Sequence, residues 1–177
     1  ATLGYVSEIG KQRDFYSHYV KPLAGKNSRA FVIISDALRY EVAAELCDTI
    51  TRTTKGTAKL DAVQAVFPSI TKFGMAALLP GRKLSVNDGM DVLVDEMPTR
   101  STDERGKVLR AANMNSVAVQ YTDVLNMKRA ERRELVSGKE VVYIYHNTID
   151  AIGDKAPTEK KVFEACEDAM QELSNIL

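Results

Sequence analysis

Three β-rich runs in this sequence each end on oxygen-bearing side chains. Phe31-Val32-Ile33-Ile34-Ser35 runs into Asp36. Phe67-Pro68-Ser69-Ile70-Thr71 ends on hydroxyls just before a helix-like stretch. Val141-Val142-Tyr143-Ile144-Tyr145 runs out into His146, Asn147, Asp150 and Asp154. In an open α/β sheet the carboxyl ends of the strands share one edge, and ligands bind there. Carboxylates and hydroxyls gathered at that edge predict a divalent-cation site with a Ser or Thr nucleophile.

Each of these residues also has a plainer role. Asp36 could cap the helix that follows it, since Asp is favoured directly before a helix. Ser69 or Thr71 could cap the helix that begins near Lys72. Against that, helix N-terminal amides and the helix dipole favour an anionic oxygen there, and a nearby cation would make the oxygen a better nucleophile. Asp150 and Asp154 are four residues apart, so a helical turn would face both the same way; otherwise they lie in a solvated loop. His146 is more often a hydrogen-bonded structural histidine than a ligand. The basic cluster Lys128, Arg129, Arg132 and Arg133 reads as a solvated helix face, with a phosphate-steering patch as the alternative.

The elements that must position these groups alternate along the chain. Residues 3–20 have loose helical spacing, and 24–28 is a loop. Residues 29–35 form a buried strand. A helix is expected from Ala37 to about Lys55, with Leu38, Val42, Leu46 and Ile50 every fourth residue. A strand is expected over 58–67 and a short helix over 72–79, ended by Pro80-Gly81. Residues 84–95 predict a β-hairpin turning at Asn87-Asp88-Gly89. Then come a helix (102–112), a strand (116–121), one or two helices (122–136), a strand (140–145) and a final helix from Pro157 or Thr158, where Pro is permitted in the first turn. Such alternation predicts an α/β fold, a mostly parallel sheet flanked by helices on both faces. Residues 1–28 read as an N-terminal helix and loop, and 29–177 as the body of the domain.

Bulk properties narrow the function classes. The chain has 177 residues, one domain's worth, with 24 basic against 24 acidic residues. A formal charge of zero argues against broad, charge-driven nucleic-acid binding, while a local basic patch stays possible. No apolar run approaches a membrane span. Cys47 and Cys166 form no CxxC pair or disulfide framework, so a reducing, cytoplasmic setting is expected. His18 and His146 are too few for a His-rich metal centre. No GxxxxGK[ST] loop, no GxGxxG after a strand and no Gly-x-Ser-x-Gly is present. The sequence opens without Met and ends inside an amphipathic pattern, which reads as a piece of a longer polypeptide.

At these residues the chain resembles the PglZ domain, a member of the alkaline phosphatase superfamily found in bacterial and archaeal phage-defence systems. The resemblance covers most of residues 29–177. It rests on Ile34-Ser35-Asp36-Ala37-Leu38-Arg39-Tyr40-Glu41, on Phe67-Pro68-Ser69-Ile70-Thr71 with Ala77-Leu78-Leu79-Pro80-Gly81, and on His146-Asn147-Thr148-Ile149-Asp150, in that order. It implies that Asp36 is a metal ligand. It implies that Thr71 is both nucleophile and ligand, with Ser69 as competitor. The superfamily's Asp-x-x-Gly-His segment reads here Asp150-Ala151-Ile152-Gly153-Asp154, so Asp stands for His at 154, a hard oxygen that favours Mn or Mg more than an imidazole would. The superfamily's later Asp-His pair and further His lie outside this sequence, so these residues by themselves are expected to be inactive.

The resemblance thus implies part of a metal-dependent phosphatase or phosphodiesterase-like domain acting on a phosphate ester. Divalent Zn, Mn or Mg would be its cofactor, and other defence-system proteins its partners. The alternative is a non-catalytic module that uses the phosphatase fold to bind partners, because fold does not fix function.

Overall fold

The run Val141–His146 is buried at every position, as expected of β-branched and aromatic residues in a sheet with covered faces. In the computed structural model the described residues are 6, 8–25, 28–153 and 159–176. The first elements are β1 (Gly10–Lys11), a 3-10 turn (Gln12–Asp14), a π-helical turn (Tyr16–Val20), β2 (Ala30–Ser35), α1 (Tyr40–Thr53), β3 (Val63–Gln64) and α2 (Thr71–Ala77). Next come β4 (Leu84–Val86), β5 (Val92–Val94), β6 (Met97–Pro98), α3 (Thr102–Ala112) and β7 (Ser116–Gln120). The last are α4 (Tyr121–Asn126), α5 (Arg129–Val136), β8 (Val141–His146), α6 (Thr148–Gly153) and α7 (Glu159–Ile176). The chain divides into two compact units, residues 1–34 with 62–145 and residues 35–61 with 146–177.

The first unit is organised on a three-stranded sheet of order β2-β8-β7. β7 and β8 pair in parallel from Ser116↔Val141 to Gln120↔Tyr145. β2 and β8 are also parallel: the Ala30 N–H donates to the Glu140 carbonyl and the Asp36 N–H to that of His146, the same sequence offset at both ends. Ala30, Val32, Ile34, Val141, Tyr143 and Tyr145 alternate onto one face of this sheet, and their core includes Val20, Leu79, Val94 and Leu109. Burial pushes the Tyr145 phenol up to about 12. The Tyr143 hydroxyl donates to the Leu78 carbonyl at 2.9 Å.

Local signals set several boundaries. Ser101 and Glu104 form a reciprocal capping box at the start of α3. β4 and β5 pair antiparallel around the expected turn, where the Asp91 N–H donates to Asn87 Oδ1 at 2.8 Å. Arg132, from the basic cluster, donates to the carbonyls of Val124, Leu125 and Met127. It thereby satisfies carbonyls left open at the end of α4.

In the second unit, Ile149, Cys166 and Ala169 form a core with Leu38 and Val42 packed against it. On α7 the buried residues Ala165, Cys166, Ala169 and Leu173 trace one helical stripe. Cys47 and Cys166 are both free thiols. Among the described residues, no helix is long and apolar enough to cross a membrane.

The structure departs from the sequence expectations in four places. The fold is α/β, but its strands form three sheets: the parallel β2-β8-β7, a parallel pair β1-β3, and an antiparallel β4-β5-β6. The strand expected over 58–67 shrinks to β3. There, side-chain amides replace a ladder, with Gln64 Oε1 accepting from the Val6 N–H and Gln12 Oε1 from the Val66 N–H. The helix expected from Ala37 begins at Tyr40, because residues 36 and 37 form a turn. Part of the 3–20 helix expectation lies outside the described residues; the described part holds β1 and the turns from Gln12 to Val20.

Gly81 sits where the chain leaves α2 and passes close to β5. A Cβ at this position would collide with Val94 Cγ1. Val94 is buried and branched, so it has little room to yield. We expect Gly81→Ala to lower stability by about 1–3 kcal/mol, the usual range for overpacking, measured as a shift in the urea unfolding midpoint.

Candidate functional site

β2 ends because Asp36 makes the last ladder bond and then turns. Its N–H donates to the His146 carbonyl at 2.9 Å, and its Oδ1 accepts from the Ala37 N–H at 3.0 Å. Ala37 has φ of +60°, a left-handed conformation that L-residues rarely adopt. Helix α1 is capped from Arg39, without a side-chain bond. Asp36 is therefore not the cap of α1, and its plainer role is removed. Its side chain is half-buried.

β8 hands over to α6 after a single residue, Asn147, whose carbonyl accepts from the Ala151 N–H. Asp150 lies in the first turn of α6 and is half-buried. Asp154 lies outside the described residues. Asp36 and Asp150 belong to the same unit and follow the carboxyl ends of neighbouring parallel strands.

Thr71 belongs to the other unit, as the first residue of α2. The cap position is Ile70, whose carbonyl accepts from Phe73 and Gly74. Neither Ser69 nor Thr71 occupies the cap, so that plainer role fails for both. Both are exposed. So are their apolar neighbours: Phe67 is 93% exposed and Ile70 50%.

His146 is the feature that sequence reasoning only half caught. The residue is 1% exposed, and both ring nitrogens are engaged. Nε2 lies 2.8 Å from Glu172 Oε2, and Nδ1 lies 2.9 Å from Ser35 Oγ. A carboxylate only accepts, so Nε2 carries the hydrogen of that pair, and in the neutral ring Nδ1 accepts from Ser35. The Thr148 hydroxyl donates to the same Glu172 oxygen at 2.7 Å and sits 3.2 Å from Nε2. His146 is thus the hydrogen-bonded structural histidine that base expectation favoured. Ser35, Thr148 and Glu172 were not singled out, and nothing local in the sequence ties Glu172 on α7 to the end of β8.

Asp36, Thr71, Asp150 and Asp154 offer only hard oxygen donors, a chemistry that fits Mg or Mn. Among the described residues no group of three or more His, Cys, Asp or Glu is placed to hold an ion. A separate cleft of about 850 Å3 lies in the first unit, lined by Arg13, Tyr16, Leu79, Arg82 and Val94 among others. Beside it, the N–H groups of Arg82 and Lys83 donate to Asp95 and hold its carboxyl below the usual range. No sequence-predicted site residue lines this cleft.

Comparison with known proteins agrees with the residues quoted above. The profile of the BREX system PglZ alkaline phosphatase-like domain matches residues 15–177. The alkaline phosphatase-like protein PglZ of Bacillus cereus (strain H3081.97) is 41% identical over 172 residues, covering 97% of this chain. The alkaline phosphatase-like protein BrxZ of Escherichia coli O9:H4 (strain HS) is 43% identical over 173 residues, covering 96% of this chain. The chain spans 20% of the length of each of these relatives. No solved structure matches it.

The strained turn after Asp36 gives a test of the local geometry. A left-handed backbone costs an L-residue roughly 1–2 kcal/mol and a β-branched one more. We expect Ala37→Gly to unfold at or above the wild-type midpoint and Ala37→Val to lose at least about 1 kcal/mol, both measured by chemical denaturation.

Proposed function

Because the chain belongs to the PglZ family of BREX-system alkaline phosphatase-like domains, we propose that it forms part of a metal-dependent phosphatase or phosphodiesterase-like domain that acts in phage defence. In this reading the parallel strands β2, β8 and β7 belong to the mostly parallel, helix-flanked sheet of an alkaline-phosphatase-like fold. The observation that most supports it is the pair Asp36 and Asp150. They follow adjacent parallel strands at the same edge, in a chain that matches the family along residues 15–177.

The roles follow from residue chemistry. Asp36, Thr71, Asp150 and Asp154 would hold divalent Mg, Mn or Zn. Such a cation supplies positive charge that favours an ionised hydroxyl and neutralises a developing phosphoryl anion. Thr71 Oγ1 attacks phosphorus, the P–O bond to the leaving alcohol breaks, and that oxygen takes up a proton. Hydrolysis of the phosphothreonine ester then returns the hydroxyl and releases phosphate. Thr71 is exposed at the first position of α2, so a substrate can reach it. The substrate is a phosphate ester, and other defence-system proteins are the partners we propose.

Thr71 and Ser69 make a matched pair for testing this. An exposed hydroxyl that does no chemistry is removed with little effect on stability or turnover, whereas loss of a nucleophile removes most turnover. The measurement is hydrolysis of a nitrophenyl phosphate ester by the natural-length protein with added Mn or Zn, alongside thermal melting. We expect Thr71→Ala to be folded and inactive, and Ser69→Ala to be folded and largely active. Equal rates for Thr71→Ala and wild type would count against the enzyme and favour the non-catalytic interaction module.

A further inference from the structure

We infer that the network of half-buried Ser35, Thr148 and Glu172 around buried His146 is a positioning device that holds the two carboxylate-bearing segments, Asp36 and Asp150, in one fixed arrangement. The inference rests on the metal-site reading proposed above and adds four residues to it. None of the four touches the cation or the substrate in this reading; they act through the segments they tie together.

The argument starts from adjacency. Ser35 directly precedes Asp36, and Thr148 precedes Asp150 by two positions. Ser35 is the last residue of β2 and bonds the His146 ring, and Asp36, the next residue, makes the last ladder bond and opens the turn. On a helix two positions amount to about 200°, more than half a turn. Thr148 therefore binds Glu172 on one side of α6 and leaves Asp150 on another. In both segments an anchor to the His146–Glu172 pair stands within two residues of a candidate ligand.

The anchors converge on a common support. His146 accepts from Ser35 at Nδ1 and donates to Glu172 from Nε2. Glu172 takes both His146 and Thr148 on the same oxygen. The end of β2, the end of β8 and the start of α6 are thereby tied to one residue of α7. The His146 carbonyl adds a further tie, accepting from the Asp36 N–H itself. α6 has only six residues, too short to hold its shape without tertiary support. Two carboxylates that must share a cation repel one another before it arrives, so a scaffold that keeps them in place raises affinity.

A merely structural network would lower stability when cut and leave ion affinity untouched in the folded variants. A positioning network lowers affinity as well. Partners that orient metal ligands typically contribute about 10–100-fold to affinity. The experiment uses the natural-length protein and three variants, Ser35→Ala, Thr148→Val and Thr148→Ser. It reads Mn2+ affinity by calorimetry, melting temperature without metal, and hydrogen exchange of the segments 36–40 and 148–153.

We expect Ser35→Ala and Thr148→Val to bind Mn2+ about tenfold more weakly, with the metal-free melting temperature lowered and exchange of both segments faster. Thr148→Ser, which keeps the hydroxyl, retains wild-type affinity. Folded variants with wild-type Mn2+ affinity would overturn the positioning role and leave the metal-site reading intact. Absence of Mn2+ binding by the wild-type protein would overturn the metal-site reading itself, and the positioning role with it.

Discussion

β8 has to be satisfied on every side at once. It is hydrogen-bonded along both edges, to β2 and to β7, and buried at all six positions. A polar side chain in that position is costly without partners, about 1–3 kcal/mol each, and of the strand's polar atoms the Tyr145 hydroxyl is buried without a hydrogen bond whereas the His146 ring is met. Five of its residues are Val, Tyr or Ile, and the sixth is His146. The histidine is admitted only because Ser35, Thr148 and Glu172 meet its ring. That one requirement links residues on four successive portions of the second unit, and it decides what the neighbouring carboxylates are attached to.

The candidate ligands stand beside this arrangement rather than inside it. Asp36 does not cap α1, and neither Ser69 nor Thr71 takes the cap position of α2. The local roles that would make these residues ordinary are therefore already filled by Arg39 and Ile70. Asp36 also precedes an alanine held at positive φ, and strained backbone of that kind concentrates at functional sites. Phosphoryl transfer between paired metal ions needs several oxygen ligands on each ion. The two described carboxylates, Asp36 and Asp150, follow neighbouring strand ends within one unit, and the chain spans 20% of its relatives' length.

Basic residues show how tertiary context reassigns a sequence feature. The cluster from Lys128 to Arg133 could have steered phosphate. In the folded chain Arg132 closes α4 by meeting three of its carbonyls. Asp95 looks like one more surface carboxylate in the sequence, yet the amides of Arg82 and Lys83 organise it into a turn lock where the chain passes Gly81.

Much of the fold was legible because its causes are local. β-branched runs bounded by turn residues marked β2, β7 and β8. Asn87-Asp88-Gly89 marked the hairpin, and Ser101 with Glu104 marked the start of α3. The candidate site was legible as residue types at strand ends, and the family as three motifs in order. Four things were not: the loss of regular pairing over most of 58–67, the turn at Asp36-Ala37, the division that puts Thr71 in one unit and Asp36 with Asp150 in the other, and the reach of Glu172 back to His146. Each depends on partners far away in sequence, such as Gln12 for the Val66 amide or Ser35 for a ring 111 residues later. Periodicity and turn chemistry act within a few residues and can be read along the chain. Hydrogen-bond satisfaction of buried groups is settled only when distant segments meet, so only the tertiary structure decided it.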